Sequence, residues 1–422
     1  MAAAAPSTFA ALRHRSFRLY YTGQTISLTG SWMQSVAHGW LVLVLTDSSF
    51  YLGLMGALQT LPVLLFSLWG GMLADHTHKR RLVFITQASF MALALTLGLL
   101  TAFGLMRVWL LGILAFLMGT VLAFDIPSRQ AFIVEMVGKE DLPNAIALNS
   151  TLFNATRVAG PAIGGALIYA VGLANCFFLN ALSFLPLLLA LATVKLTPHS
   201  PAPWKPVRAA WREMWDYLMH RRDLRLMLLL LCTATIFAMP YYVLLPMLAK
   251  SVLQVGPRGF GLLVAASGLG AFLGGLALAR RLQRRPPMPS FLGGLGLFLA
   301  GLLGLGLSRN YYLSLIFIFL AGFGMVTQLS TGNSLLQINV PDELRGRLMS
   351  LFGVIVMGLA PIGSLNLGIV AHFAGPGPAI CAGSLIAAVC AAWILWRYPE
   401  LRHLGFEEAA ASEGPGQYLG RQ

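Results

Sequence analysis

The residues best suited to chemistry lie in a short charged segment, GMLADHTHKRRLV, at positions 71–83 between two apolar stretches. Gly71 and Asp75 close the first stretch, and Lys79 and Arg80 precede the second. A carboxylate at the end of one helix can accept hydrogen bonds from the exposed amides at the start of another, where the helix dipole favours an anion. The segment therefore predicts an electrostatic lock between neighbouring helices.

The elements that position this segment are apolar helices. Apolar residues make up 57% of the 422-residue chain and charged residues only 10%, which excludes an ordinary soluble protein. A membrane-spanning helix needs about 20 mostly apolar residues. Twelve such stretches are predicted, at 18–45, 51–74, 82–104, 108–126, 145–171, 174–194, 224–249, 259–279, 289–308, 311–338, 348–374 and 377–397. The predicted fold class is all-α integral membrane, with twelve helices in two pseudo-symmetric six-helix bundles.

The placement of the positive charges predicts the orientation. Only Arg107, Lys250, Arg258 and Arg309 fall in the odd-numbered loops, and Arg157 falls inside a span, so 24 of the 29 Lys and Arg lie in the termini and even-numbered loops. Short loops rich in Lys and Arg stay in the cytoplasm. We therefore expect a multi-pass inner (plasma) membrane protein with both termini cytoplasmic. The net charge of +14 is explained without a nucleic-acid partner.

The chain also shows an internal duplication. EDLPNAIAL at 140–148 pairs with DELRGRLMSL at 342–351, and each leads into the fifth span of its half. The predicted parts are an N-terminal bundle at 1–194, a linker with an amphipathic helix at 195–223, a C-terminal bundle at 224–398 and a disordered tail at 399–422. Two parallel halves surround a midplane site that opens alternately to each side of the membrane.

The 71–83 segment resembles the signature loop of the major facilitator superfamily. The stretches at 32–75 and 125–137 (DIPSRQAFIVEMV) are similar to the branch that contains the enterobactin exporter and macrolide-efflux proteins. The resemblance implies that Asp75 faces the start of the eleventh span and that Lys79 or Arg80 pairs with Asp125 on the fourth span. It also implies a monomer, with a cavity lined by spans 1, 2, 4, 5, 7, 8, 10 and 11.

The fifth span carries RVAGPAIGGALI, from Arg157 to Ile168. A proline removes one backbone donor and bends a helix, and glycines four residues apart let another helix approach closely. The pattern resembles the antiporter motif, which implies an exporter. The complete set of predicted gate residues is Gly71, Asp75, Lys79, Arg80, Asp125, Arg129, Gly160, Pro161, Gly164 and Gly165.

A predicted substrate cavity is built around Arg157, which lies near the membrane midplane, where an ionisable group is costly unless it is paired or hydrated. Trp32, Gln34 and His38 lie on the first span, and we expect Gln34 and His38 to hydrogen-bond or hydrate this guanidinium. Two readings stay open: Arg157 attracts anionic or catecholate-like groups of a substrate, or it is a buried donor to helix carbonyls.

In the second half, Thr327, Gln328, Thr331 and Ser334 on the tenth span are expected to line the same cavity, with helix packing as the alternative. Tyr241 and Tyr242, beside Pro240, are expected to give the cavity aromatic walls, with Trp32 opposite. A broad amphipathic pocket with few fixed charges favours bulky apolar small molecules.

The energy source follows from the motifs. The sequence contains no phosphate-binding loop, metal-ligand spacing or nucleophile and base pair, so neither ATP hydrolysis nor another enzyme activity is expected. Asp125 and His38 are the predicted proton-coupling residues, and no cofactor is expected beyond the proton gradient.

The predicted function is proton-coupled export of amphipathic drugs, siderophores or metabolites. A lysolipid flippase or uncoupled carrier is the alternative, and a non-transporting membrane sensor is a more remote one.

Overall fold

A computed structural model of the chain describes residues 9–138, 140–194, 207–281 and 287–403, and all of the regular structure in these ranges is helical. The helices of the first half are α1 (Arg15–Thr46), α2 (Ser49–His76), α3 (Lys79–Ala102), α4 (Val108–Val137), α5 (Leu142–Val171), α6 (Leu173–Ser183) and α7 (Leu185–Thr193). The first five have between 24 and 32 residues. At 1.5 Å per residue each is longer than the roughly 30 Å hydrocarbon core of a bilayer.

The second half begins with α8 (Val207–His220) and continues through eight further helices. These are α9 (Arg222–Thr233), α10 (Tyr241–Met247), α11 (Pro257–Arg281), α12 (Pro287–Leu307), α13 (Tyr311–Ile338), α14 (Asp342–Gly353), α15 (Ala360–Ala374) and α16 (Pro376–Arg397). Each predicted span corresponds to one helix or to one run of consecutive helices. The predicted all-helical membrane fold is therefore confirmed for the described residues.

Proline interrupts two of the spans in the second half. Single π-helical turns at Ala234–Ala238 and Val354–Gly358 stand shortly before Pro240 and Pro361. A proline ring collides with the carbonyl four residues earlier, and a wider turn relieves this collision. The seventh and eleventh predicted spans are consequently divided into shorter helical pieces.

Ten helices or helical runs of the described residues are long and apolar enough to cross a membrane by those criteria alone. The predicted spans absent from that set correspond to α1 and α5, which have 32 and 30 residues but carry more polar side chains. Both are helices that the sequence assigns to the cavity. Their polarity is the reason that composition alone does not identify them as spans.

By their contacts, the described residues divide into two compact units. The first takes those within Met1–Trp204 and Leu245–Ala265, and the second takes those within Lys205–Leu244 and Ala266–Gln422. The 245–265 segment thus packs with the first unit, although it follows the linker in sequence. The predicted bundle boundaries at 194 and 224 stay a prediction, and the predicted tail beyond 403 lies outside the described residues.

The helix α8 occupies the predicted linker and packs on the second unit. Met214 and Leu218 are buried on its inner side. Tyr217 donates a hydrogen bond to the Asn339 carbonyl at the end of α13. Trp215 remains exposed, so one face of this helix packs on the protein and another does not.

Candidate functional site

The charged segment between α2 and α3 makes a different pair from the predicted one. Lys79 Nζ lies 2.6 Å from Glu135 Oε1 on α4, and both side chains are largely buried. Arg80 instead donates to the carbonyl oxygen of Val194, at 2.6 Å. The prediction that Lys79 or Arg80 pairs with Asp125 is therefore wrong. Asp125 lies ten residues before Glu135, which is about 15 Å farther along the helix.

Asp125 occupies a buried polar cluster of its own. Its carboxylate is 1% exposed and accepts hydrogen bonds from Thr86 Oγ1 at 2.8 Å and Gln87 Nε2 at 2.7 Å, both on α3. Arg129, one turn along α4, places Nη2 at 2.8 Å from the other carboxylate oxygen. The structure thus brings the predicted gate residues Asp125 and Arg129 into an ion pair, which a buried carboxylate requires.

The cluster lies deeper in the protein than the sequence indicated. The predicted fourth span ended at 126, whereas α4 continues to Val137. Asp125 therefore stands twelve residues before the helix end, whereas the predicted span places it next to the end. Glu135, Thr86 and Gln87 are not among the residues predicted from the sequence. A longer fourth helix, indicated by the apolar residues of AFIVEMV, was the available signal for Glu135.

The glycine motif of α5 forms two close seams within the first unit. A Cβ at Gly160 would overlap Trp32, and one at Gly164 would lie 2.9 Å from the Met33 carbonyl oxygen, so both glycines press on α1. A Cβ at Gly165 would lie 2.6 Å from the Pro257 carbonyl oxygen and 2.9 Å from Gly261 Cα at the start of α11. The motif therefore makes the tight helix contact that its glycine spacing predicts.

Further contacts surround the seam between α5 and α11. Lys250 Nζ lies 2.8 Å from Asp47 Oδ1, and the guanidinium of Arg258 stands over the Tyr169 ring at 5.4 Å. Trp40 and Phe260 stack with ring centroids 6.0 Å apart. We call these contacts, with Gly165 and Gly261, the outer seam, because their residues lie next to the loops that the charge pattern predicts to be outside. Asp47 also ends α1 in a left-handed conformation.

Arg157 lies halfway along α5 and is half-buried. Its guanidinium carbon is 6.0 Å from the Trp32 ring centroid, and Trp32 meets Phe153 edge to face at 5.6 Å. A cation and aromatic faces at this spacing attract each other. The structure thus brings the predicted residues Arg157 and Trp32 together.

Two other predicted cavity residues of α1 face the interior of the unit. Gln34 is buried, accepts a hydrogen bond from Asn180 Nδ2 at 2.7 Å and donates to Met118 Sδ at 3.7 Å. Its amide is engaged with α6 and α4, so the prediction that it hydrates Arg157 is wrong. His38 is also buried, and its Nε2 has no hydrogen-bond partner among the described residues.

The predicted polar face of α13 divides into buried and open positions. Gln328 and Thr331 are fully buried, and Thr331 donates to the Thr327 carbonyl at 2.7 Å. Thr327 and Ser334 are partly exposed. Gln328 and Thr331 therefore pack between helices, which is the alternative interpretation given above. Thr327 and Ser334 lie on the part of α13 that is partly exposed.

Tyr241 is buried as well. Its hydroxyl forms a 2.8 Å hydrogen bond with Ser267 Oγ, and its ring meets Phe298 at 6.1 Å. The neighbouring Tyr242 is 51% exposed. Tyr241 therefore packs inside the second unit, and the prediction that it lines the cavity is wrong.

Two predicted gate residues, Gly71 and Asp75, lie near the end of α2. A Cβ at Gly71 would meet no described atom within 4 Å, so no described neighbour requires glycine there. The side chain of Asp75 lies outside the described part of the chain, and its predicted contact with the eleventh span stays a prediction.

Comparisons with known proteins agree with this architecture. Residues 6–416 match the family described as transmembrane secretion effector. The chain is 27% identical to the staphyloferrin A transporter of Staphylococcus aureus, over 85% of this chain and 90% of that protein. It is 26% identical to the enterobactin exporter of Escherichia coli strain K12, over 92% and 93%. A bacterial homologue of the lysosomal transporter Spinster, solved in an inward-facing conformation, superposes with a TM-score of 0.73 at 14% identity, over 96% and 99%. This structural likeness establishes the fold.

Proposed function

The chain belongs to the transmembrane secretion effector family of major facilitator transporters, and from that premise we propose that it exports amphipathic small molecules in exchange for protons. It is a membrane transporter of the siderophore and drug efflux branch, not an enzyme. Two relatives, a staphyloferrin A transporter and an enterobactin exporter, support acidic or catecholate metabolites as the substrate class. We further propose that the protein works as a monomer by alternating access and that both of its termini are cytoplasmic.

The observation that carries the proposal is the construction of α5. Arg157 stands halfway along this helix beside Trp32, and Gly160 and Gly164 press on α1 one and two turns later. Gly165 closes on the start of α11 at the outer seam. The helix α5 therefore contains both the arginine that stands beside Trp32 and the glycine that makes the tight contact with α11. Movement of α5 at the seam would change the access of Arg157 to each side of the membrane.

The substrate part of the proposal rests on charge. Arg157 offers a planar, permanently charged group with five donors next to an aromatic ring, which suits carboxylate and catecholate groups. We expect Arg157→Gln to abolish uptake of anionic siderophores into everted vesicles and to spare cationic dyes. Arg157→Lys keeps the charge but loses the planar fork, so it should retain only part of the anion transport. Equal loss of anionic and cationic transport would favour a purely structural role.

The proton part rests on the Asp125 cluster. Protonation of Asp125 would break its ion pair with Arg129 and release a cation inside the first unit, which links proton binding to rearrangement of α4. His38 is a second proton-binding candidate, because its buried Nε2 has no hydrogen-bond partner among the described residues. We expect Asp125→Asn to remove pH-driven transport, while substitution of the exposed Asp216 on α8 leaves it intact. Intact pH-driven transport by Asp125→Asn would exclude this residue from coupling.

Direct transport assays decide the whole proposal. Everted vesicles with an acid interior should show proton efflux when siderophores, amphipathic antibiotics or dyes are added, and protein-free vesicles should not. Absence of a response to a chemically broad panel, with folded protein, would favour an uncoupled carrier or a lysolipid flippase.

A further inference from the structure

A groove of about 670 Å³ runs between α2 and α4 in the first unit. Its walls are apolar or aromatic and include Tyr51, Leu58, Trp109, Ile113 and Leu117. The volume falls within the range of about 300–1,000 Å³ that is typical of ligand pockets. The groove shares no residue with the outer seam, the Asp125 cluster or the position beside Arg157, so the proposed function does not explain it.

The groove begins where the close packing of the two helices ends. A Cβ at Gly119 would overlap the carbonyl oxygen of Gln59, and one at Gly70 would overlap that of Ala123. The lining residues lie on the other side of these contacts, at 51–58 on α2 and 108–117 on α4. Gly112 lies in the floor, where an added Cβ would be 3.2 Å from the end of the Leu58 side chain. The absence of a side chain at Gly112 therefore helps to keep the groove open.

The length of the groove corresponds to one leaflet of a bilayer. The lining residues of α4 extend over nine residue steps, which is about 13 Å at 1.5 Å per residue. Half of a hydrocarbon core of about 30 Å is about 15 Å. An extended acyl chain that enters from the membrane surface would follow α4 along the whole groove.

The mouth of the groove has the chemistry of a membrane interface. Trp109 is 65% exposed and Tyr51 is also exposed, and both stand near the starts of their helices. Trp and Tyr side chains concentrate at the level of lipid headgroups. Arg107 is exposed immediately before α4 and carries the positive charge that a lipid phosphate would meet.

We propose that this groove binds one acyl chain of an anionic phospholipid, with the lipid phosphate at Arg107. The lipid belongs to the leaflet on the Arg107 side, which is the outer leaflet in the topology proposed above. It remains bound as a structural ligand and is not the transported molecule. The site goes beyond the proposed export function and does not depend on it.

Photocrosslinking in nanodiscs tests the site with a defined probe, phosphatidylglycerol that carries a diazirine on one acyl chain. Crosslinked peptides are mapped by mass spectrometry in wild-type protein and in Gly112→Leu, whose side chain would fill the floor. The matched control is Gly296→Leu on α12, because a Cβ there meets nothing within 4 Å. Trp109→Ala is a second groove variant that removes an exposed wall without disturbing buried packing.

The lipid site predicts labelling concentrated on the lining residues of α2 and α4. Loss of contact with about two methylene groups in Gly112→Leu or Trp109→Ala should reduce this labelling roughly tenfold. Gly296→Leu should leave it unchanged. Labelling spread evenly over exposed apolar faces such as Leu189 and Val389, or unaffected by both groove variants, would overturn the proposal. Displacement of the label by a transported substrate would overturn it as well.

The headgroup part is tested with Arg107→Gln against Arg309→Gln, an exposed arginine of another predicted outer loop. One arginine near a membrane surface contributes about 1 kcal/mol, so Arg107→Gln should lower groove labelling by phosphatidylglycerol roughly fivefold relative to phosphatidylcholine. Arg309→Gln should preserve the preference. Equal labelling by the two lipids in the wild type would refute the role of Arg107.

Discussion

The outer seam gives the sharpest prediction, and Gly165→Ala is the perturbation. An added Cβ would lie 2.6 Å from the Pro257 carbonyl oxygen, whereas an ordinary contact begins at about 3.4 Å. The α5 and α11 backbones must therefore separate by about 0.8 Å at this position. The same Cβ would lie 2.9 Å from Gly261 Cα. Both contact atoms belong to the backbone and not to a flexible side chain. The separation cannot be absorbed by a rotamer change.

The magnitude follows from two opposing terms. Overpacking a close contact costs about 1–3 kcal/mol. Alanine in place of a mid-helix glycine returns about 1 kcal/mol, and this term stabilises the helix whether the seam is closed or open. The cost applies only to the closed seam, so the open population should rise about 5-fold to 150-fold. Gly296→Ala on α12 is the matched control, because it makes the same chemical change at an exposed helical position with no described neighbour within 4 Å.

A thiol at Phe260 provides the assay. Phe260 is 4% exposed and stacks on Trp40 across the seam, so Phe260→Cys should react slowly with an impermeant maleimide while the seam is closed. The four native cysteines are first replaced by serine. In proteoliposomes, Gly165→Ala should accelerate labelling at least severalfold, and Gly296→Ala should not. Unchanged labelling in correctly folded Gly165→Ala, or equal acceleration by Gly296→Ala, would refute the claim that this contact holds the seam closed.

Two further predictions concern pairs that the structure reassigns. A double-mutant cycle of Lys79→Gln and Glu135→Gln should give a coupling energy of about 1 kcal/mol in thermal unfolding, because the pair is largely buried at 2.6 Å. The corresponding cycle of Lys79→Gln with Asp125→Asn should be additive, and strong coupling there would contradict the structure. Asn180→Leu leaves the buried amide of Gln34 without its donor and should destabilise the protein by about 1–3 kcal/mol. The apparent affinity for substrate should stay unchanged, and an affinity loss without a stability loss would place Gln34 in the cavity instead.

The end of α4 shows where sequence patterns lose precision. A span was predicted to stop at 126, near the length that a membrane requires, but the helix continues for eleven further residues. Phe132 and Met136 of this extension are buried in a cluster with Phe17 and Tyr20 of α1. Hydropathy identifies the part of a helix that is apolar enough to cross a membrane. The full length of the helix also depends on the residues that pack against it beyond that part. The misplaced end hid Glu135 as the partner of Lys79.

The polar residues of the spans show a related limit. Their periodicity places Gln34 on one face of α1 and Gln328 on one face of α13, but a polar face can line a cavity or pack against another helix. Gln34 meets Asn180, which lies 146 positions away in the sequence. Gln328 is fully buried. The local pattern is the same in both cases, so only the neighbouring helix distinguishes packing from a cavity.

The membrane fold, the positions of the spans, the charged loop and the glycine motif of α5 can be read from the sequence, because these depend on local hydrophobicity and on residues close together in the chain. Only the packed helices show which distant side chains meet: Asp125 with Thr86 and Gln87, Lys79 with Glu135, and Gly165 with Gly261. Helix length, rotation and crossing set those contacts. They are fixed when many helices pack together, and no single span contains that information.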